Sequence, residues 1–215
     1  MGILYIVGTP IGNLGDLSPR AINVLRDVAL VAAEDTRVSR KLLQLAGSTA
    51  RITSCHQHNI GASIKQIMAV LRESNVALVT DAGMPAISDP GTELVYAASV
   101  EGHVISIIPG PSAVTSALAV SGLPSSRFTF LGFLPRRRVE RILELEEIAG
   151  RSEAIVCFET PHRLRSSLKD ISSVLGDRQI VVCRELTKIH EECVVRPISG
   201  LIESCLLYTS PSPRD

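Results

Sequence analysis

The stretch Thr80-Asp-Ala-Gly-Met-Pro-Ala-Ile-Ser-Asp-Pro-Gly91 carries two aspartates, two glycines and two prolines between the apolar run Val76 to Val79 and a helical pattern that resumes at Thr92. Gly83 removes a side chain where backbone must turn sharply or meet a ligand closely. Asp81 stands at the carboxyl end of a strand, where open α/β sheets place their ligands. The plainer alternative is a βα connection in which Asp89 is the N-cap and Pro90 the first helical residue. The nine residues before Asp89 are longer and stiffer than a cap requires, so Asp81 to Pro85 are assigned to a ligand, whereas Asp89-Pro90 is assigned to the cap.

Five further clusters fall where strands end. Gly8-Thr-Pro-Ile-Gly-Asn13 follows the first strand but does not match G-x-G-x-x-G, and the chain has no P-loop Lys-Ser/Thr, which disfavours a dinucleotide or a nucleoside triphosphate. Glu34-Asp-Thr-Arg37 groups three charges that could hold ribose hydroxyls or orient a catalytic group, or in which Asp35 or Thr36 simply caps the next helix. Pro109-Gly-Pro-Ser112 opens a helix whose free N–H groups could receive a carboxylate or phosphate. Thr160-Pro-His-Arg163 and Arg184-Glu-Leu-Thr-Lys-Ile-His-Glu-Glu192 repeat the pattern further on, with Arg163 and Lys188 as anion contacts. His162 and His190 lack metal-ligand spacing with Cys, Asp or Glu, so no metal site is expected.

Arg136-Arg-Arg138 with Arg141 is the one basic cluster. Arginines at a helix start oppose the helix dipole, which favours acids there. The cluster is therefore expected to face phosphate, against the alternative of a solvated helix start.

The elements that position these loops alternate. Strands are expected over Ile3 to Gly8, Leu30 to Ala33, Ile52 to His58, Val76 to Val79 and Val104 to Pro109. Between them come helices: one capped by Ser18-Pro19 with the stripe Ala21, Val24, Leu25 and Val28; Val38 to Leu45, ending at Gly47; one with Ile64, Ile67, Met68 and Leu71; and Glu93 to Val100. Short links between alternating strands and helices imply a largely parallel sheet with helices on both faces. The cluster Gly122-Leu-Pro-Ser-Ser126 marks a domain boundary, giving an α/β domain over residues 1–122 and a second over 123–204. The second holds strands Phe128 to Phe133, Ala154 to Phe158, Ile180 to Cys183 and Val194 to Ile198, with helices Val139 to Ile148 and Leu164 to Leu175.

Composition narrows the function classes. A length of 215 residues with 45% hydrophobic content and mean hydropathy +0.25 suits well-filled α/β sheets. No run reaches the ~18 apolar residues of a membrane span, and no leader is seen, so a cytoplasmic location without membrane association is expected. Net charge is zero and aromatics are 3% with no Trp, which excludes an extended base-stacking surface and leaves any RNA contact local. The five cysteines form no CxxC pair or zinc spacing and read as reduced, buried thiols. The last eleven residues, Cys205 to Asp215, match an out-of-frame translation of a sequencing adapter, and the natural chain is expected to continue past Ser204.

Taken in order, Val7 to Ser18, Ala33 to Arg37, Asp81 to Gly91, Pro109 to Ala113, Gly132 to Arg136, Phe158 to Arg163 and Arg184 to Lys188 closely resemble the motifs of the tetrapyrrole methylase superfamily. Within it they are most similar to the branch that methylates a cytidine 2'-hydroxyl of 16S rRNA in the small ribosomal subunit. The resemblance implies two α/β domains of the class III methyltransferase type, S-adenosylmethionine held in the cleft between them, and a homodimer. It carries cofactor binding onto Pro10, Asp81, Ala82, Gly83, Pro85, Ile87, Ser88, Pro109, Gly110, Pro111 and Ser112. Candidate catalytic residues are Glu34, Asp35, Arg37, Glu185 and Lys188, and candidate RNA contacts are Arg136, Arg137, Arg138, Arg141 and Arg163. Two positions depart from the pattern: Met84 stands where relatives often have Thr, and Ile60 follows His58-Asn59 where an acidic residue is common. A tetrapyrrole C-methyltransferase of the precorrin type, or a non-catalytic nucleotide- or RNA-binding module, are the rival functions.

Overall fold

The computed structural model describes residues 1–55 and 60–204. The His58-Asn59 segment, the far end of the strand expected up to His58, and the tail 205–215 lie outside the described residues. The chain divides into two compact units, Met1–Ala113 and the remainder from Val114. That division falls before the Gly122 cluster, because the helix ending at Ser121 groups with the second unit except for its first residue.

The first unit is built from β1 (Ile3–Val7), α1 (Pro19–Asp27), β2 (Leu30–Ala33), α2 (Thr36–Ala46), β3 (Arg51–Ser54), α3 (Ile60–Leu71), β4 (Val76–Val79), α4 (Thr92–Val100) and β5 (Val104–Ile108). All five strands pair in parallel in the order β3-β2-β4-β1-β5. β2 and β4 are buried along their whole length. A strand covered on both faces must be apolar at every position, which is why these two appear as unbroken runs, Leu-Val-Ala-Ala and Val-Ala-Leu-Val.

Helices cover both faces. On one, Ala21, Leu25 and Val28 of the first βα unit and Leu42, Leu43 and Ala46 of α2 pack on Val7, Val31, Ala33, Ala77 and Val79. On the other, Ile67, Met68 and Leu71 of α3 with Leu94 and Ala98 of α4 pack on Leu4, Ile6, Ala32, Val76 and Leu78. Ser18 caps α1 by accepting from the Ala21 amide at 3.1 Å, and Gly47 closes α2 in the left-handed region at φ 66°. Adjacent strands β1 and β4 thus feed helices on opposite faces. The chain leaves these two strands toward opposite faces at the carboxyl edge of the sheet, the position at which open α/β sheets bind ligands.

The second unit contains α5 (Ala113–Ser121), β6 (Phe128–Phe133), α6 (Arg138–Ile148), β7 (Ala154–Phe158), α7 (Pro161–Leu175), β8 (Gln179–Arg184), β9 (Glu192–Pro197) and α8 (Ile198–Ser204). β6 and β7 pair in parallel, and β8 and β9 form an antiparallel hairpin. Ile198 begins α8, where it packs with Leu201 against Leu168, so the strand expected over Val194 to Ile198 stops one residue earlier, at Pro197.

A buried ion pair ties α6 to α7. Arg141 is 4% exposed; its Nη2 donates to Asp170 Oδ2 at 2.6 Å and its Nη1 to the Pro135 carbonyl at 2.8 Å. Burial alone would raise the Asp170 carboxyl, but hydrogen bonds from Arg141 and Arg138 hold it below its ordinary value. A carboxyl depressed on folding contributes stability above its unfolded pKa, roughly 3.9, and loses it as pH falls through the lower folded value. The urea midpoint of the native chain should therefore exceed that of Asp170→Asn by a constant margin from about pH 7 to 5, with the margin closing below about pH 4. A margin that persists in acid would show that the contribution is not that of the carboxylate.

Candidate functional site

Because all five strands of the first unit run in parallel, the loops after β1, β2, β4 and β5 meet at one edge. The first and third are joined directly. Thr9 and Gly83 exchange backbone hydrogen bonds at 2.9 and 3.1 Å, and the buried Thr9 hydroxyl donates to the Thr80 carbonyl at 3.1 Å. Gly83 adopts φ 88°, a conformation that glycine takes without the cost a Cβ imposes. The first and fourth loops approach just as closely. The Gly8 amide donates to the Ile108 carbonyl at 2.9 Å, and a Cβ on Gly110 would lie 2.8 Å from the Gly8 carbonyl carbon. Backbone meets backbone here, and no side chain fits between.

The loop after β4 carries unusual backbone. Ala86 at φ 65° and Ser88 at φ 61° sit in the left-handed region, as do Glu185 at φ 51° and Thr187 at φ 68° in the loop between β8 and β9. Among the described residues these are the only non-glycine positive φ values, and all four fall in loops singled out for chemistry. Such conformations cost roughly 1–3 kcal/mol each and persist where the surroundings enforce them, commonly at ligand sites.

Carboxyls gather on the same edge of the first unit. The Thr80 hydroxyl lies 2.9 Å from Glu34 Oε2 and 2.8 Å from Asp89 Oδ2. A hydroxyl has one proton, so both contacts are hydrogen bonds only when one carboxyl is protonated. Burial, with the nearby Asp81 charge, raises the Asp89 carboxyl above its ordinary value, against the Thr80 hydrogen bond that lowers it. Asp81, exposed at the loop's start, is raised by partial burial and by the neighbouring Glu34 and Asp35, and accepts from the Asp35 amide at 3.1 Å. Asp35 differs: its hydrogen bonds from Arg37 hold it at about 2. It caps α2 by accepting from the Arg37 amide at 2.8 Å and pairs with the Arg37 guanidinium at 2.6 Å. A carboxylate that acidic and that occupied is a weak base, and Arg37 is largely committed to it.

Of the cofactor positions inferred from sequence, Pro10, Gly83 and Pro85 are buried in the loop walls, while Asp81, Ala82, Ile87, Ser88 and Pro109 are exposed and Gly110, Pro111 and Ser112 half-buried. Asp89-Pro90 does not cap α4. The N-cap is Gly91 at φ 130°, with no side-chain cap bond, and Asp89 turns to Thr80 instead. The fastening role of Thr9 and Thr80 is not legible in the motifs that contain them, because their partners lie 71 and 74 residues away in sequence.

In the second unit, Glu185 and Lys188 pair at 3.1 Å and both are exposed. The arginines divide. Arg136 and Arg137 are exposed at the start of α6, and Arg138 keeps an exposed side chain while donating to Asp170 at 2.9 Å. Arg141 cannot contact RNA, because it is buried on Asp170. Arg163 is also spent internally, its Nη2 donating to the Leu134 and Pro135 carbonyls at 2.6 and 3.1 Å and to Glu159 at 3.2 Å. Among the described residues no group of His, Cys, Asp and Glu could hold a metal, and no helix is long and apolar enough to cross a membrane.

The family described as Tetrapyrrole (Corrin/Porphyrin) Methylases matches residues 3–202, nearly the whole described chain. The chain belongs to the tetrapyrrole methylases. Curated relatives include "Ribosomal RNA small subunit methyltransferase I" of Thermotoga maritima, 49% identical over 89% of this chain and 86% of that protein. The protein of the same name from Bacillus subtilis is 45% identical over 94% of this chain and 70% of its own length. Among solved structures, a cobalt precorrin-4 methyltransferase described as a cobalamin biosynthetic enzyme superposes with TM-score 0.71, covering 95% of this chain and 89% of that one at 21% identity. At that identity the likeness speaks for the tetrapyrrole methylase fold: a parallel α/β sheet whose carboxyl edge is walled by loops.

Proposed function

We propose that this chain transfers a methyl group from S-adenosylmethionine to the 2'-hydroxyl of a cytidine in 16S rRNA of the small ribosomal subunit. The observation that carries the reading is the convergence of the Gly8, Asp81-to-Ser88 and Pro109-to-Ser112 loops on one sheet edge, in a chain 49% identical to a protein named for small-subunit rRNA methylation. The donor set suits the cofactor. S-adenosylmethionine is cationic at its sulfonium and amino groups, and this edge presents the carboxyls of Glu34 and Asp81 beside the Asp35–Arg37 pair. The Gly8–Gly110 approach and the bent backbone at Gly83 fix the wall against which the adenosine and methionine moieties would lie.

In this reading Asp81 would hold cofactor hydroxyl or ammonium groups, Ala82, Pro85 and Ile87 would offer it apolar contact, and the Ser88 hydroxyl a further hydrogen bond. Bound S-adenosylmethionine supplies an electrophilic methyl for in-line displacement, in which positioning does most of the work. The attacking 2'-hydroxyl must lose a proton as the bond forms. Glu34 and Glu185 are the candidates for the acceptor, and Arg37 and Lys188 the candidate cations to steady the developing oxyanion. Glu185→Gln should lower kcat by about 100-fold or more with S-adenosylmethionine affinity unchanged, as single-turnover methylation and calorimetry would show. An unchanged kcat removes Glu185 from the chemistry.

Arg136, Arg137 and Arg138 meet RNA phosphate. The double variant Arg136→Ala/Arg137→Ala should raise KM for 30S subunits and reduce the slope of log affinity against log salt by roughly 1–2, leaving cofactor binding untouched. The enzyme works in the cytoplasm as a homodimer, for which exposed Tyr96, Val100, Val104 and Ile107 offer apolar surface, and sedimentation equilibrium tests the dimer. The function is tested by supplying labelled S-adenosylmethionine with unmethylated 30S subunits or with a precorrin. Label entering only rRNA supports the proposal, and label entering only the tetrapyrrole overturns it.

A further inference from the structure

The antiparallel register of the second unit sets Cys183 of β8 directly opposite Cys193 of β9, beside the ion-paired Arg184 and Glu192 that form the next rung. The two Sγ atoms are 3.1 Å apart, about 1 Å more than a covalent disulfide needs, so small side-chain rotations would join them. Cys193 is exposed and Cys183 half-buried. The remaining described thiols offer no such arrangement. Cys55 is buried in the first unit's core, and burial pushes Cys157 up to about 11. We propose that Cys183 and Cys193 form a reversible dithiol–disulfide site, oxidised by a low-molecular-weight disulfide, that staples the base of the loop carrying Glu185 and Lys188.

The exchange balances without further reactants. The Cys193 thiol gives up its proton and attacks one sulfur of the small disulfide; that S–S bond breaks and the released thiolate takes up a proton. Cys183 then attacks the Cys193 sulfur of the mixed disulfide, its own proton passing to the second departing thiolate. Two protein thiols are oxidised by two electrons and one small disulfide is reduced to two thiols. Cys193 is the exposed partner and meets the small disulfide first, whereas burial, followed by the neighbouring Cys193 thiol, raises Cys183 and leaves it to close the ring. The bond closes a loop between residues ten apart in sequence and fixes the rung beneath Glu185 and Thr187, both held at positive φ. This inference is independent of the reaction assigned above.

The test is intact-mass spectrometry of the whole chain equilibrated with reduced and oxidised glutathione. With Cys205→Ser as the background of every chain tested, the otherwise native chain should first gain one glutathione, then lose it and finish about 2 Da lighter than the reduced protein. Cys183→Ser should stop at the adduct, and Cys193→Ser, at an exposed position that folding tolerates, should show neither adduct nor closure. Hydrogen exchange of amides 185–191 should slow by about tenfold in the oxidised native chain. A 2 Da loss that survives in Cys193→Ser, or a native chain that keeps its adduct without closing, overturns the proposal.

Discussion

Gly110→Ala is expected to abolish cofactor binding, with S-adenosylmethionine affinity reduced at least about 100-fold, or roughly 2.7 kcal/mol. The added methyl would sit 2.8 Å from both the Cα and the carbonyl carbon of Gly8 and 2.9 Å from its oxygen. Those atoms are backbone in a strand-end loop, so no side chain can swing aside. The Gly8 and Pro109–Ser112 loops must separate, at an overpacking cost of about 1–3 kcal/mol, and the wall they form is displaced. Gly61→Ala is the matched control, because a Cβ there meets nothing within 4 Å and lies in α3, where alanine is favoured over glycine. Calorimetric titration on both variants decides the matter. Gly110→Ala binding within threefold of the native chain would place the cofactor elsewhere.

Asp170→Ala should lower the melting temperature on the order of 10 °C. Its side chain is 7% exposed and takes hydrogen bonds from Arg138 and Arg141, and removal leaves the Arg141 guanidinium, 5% exposed, without its counter-charge. Breaking one side of a buried pair costs about 3–5 kcal/mol, whereas replacing both sides with apolar groups of similar volume is often neutral. The double variant Arg141→Met/Asp170→Leu should therefore recover most of the loss. Calorimetric unfolding of the three proteins checks this, and a double variant as unstable as the single would assign the effect to packing rather than to the unpaired charge.

Much of the scaffold was legible because its physics is local. The four-residue runs of β2 and β4 had to be strands buried on both faces, and Ser18-Pro19 and Gly47 marked helix ends that the structure places at those residues. The carboxyl-edge loops followed from the alternation of elements. What escaped depends on partners distant in sequence. Asp-Pro has the same local signature as a helix cap and as a loop, and only the fold brings Thr80 to Asp89 and leaves Gly91, pressed against Leu78, to begin α4. A row of arginines says nothing of Asp170, which meets Arg141 from 29 residues away. The facing of Cys183 and Cys193 depends on the hairpin register, which no spacing rule for cysteine pairs anticipates.

The central claim is that these loops deliver a methyl group to a ribose oxygen of small-subunit RNA. Its most direct test is nucleoside mass spectrometry of 16S rRNA taken from unmethylated 30S subunits after incubation with the native chain and S-adenosylmethionine, with Gly110→Ala in parallel. The account predicts 2'-O-methylcytidine with the native chain and none with the variant. Methylation on a base, or equal 2'-O-methylcytidine from both proteins, would contradict it.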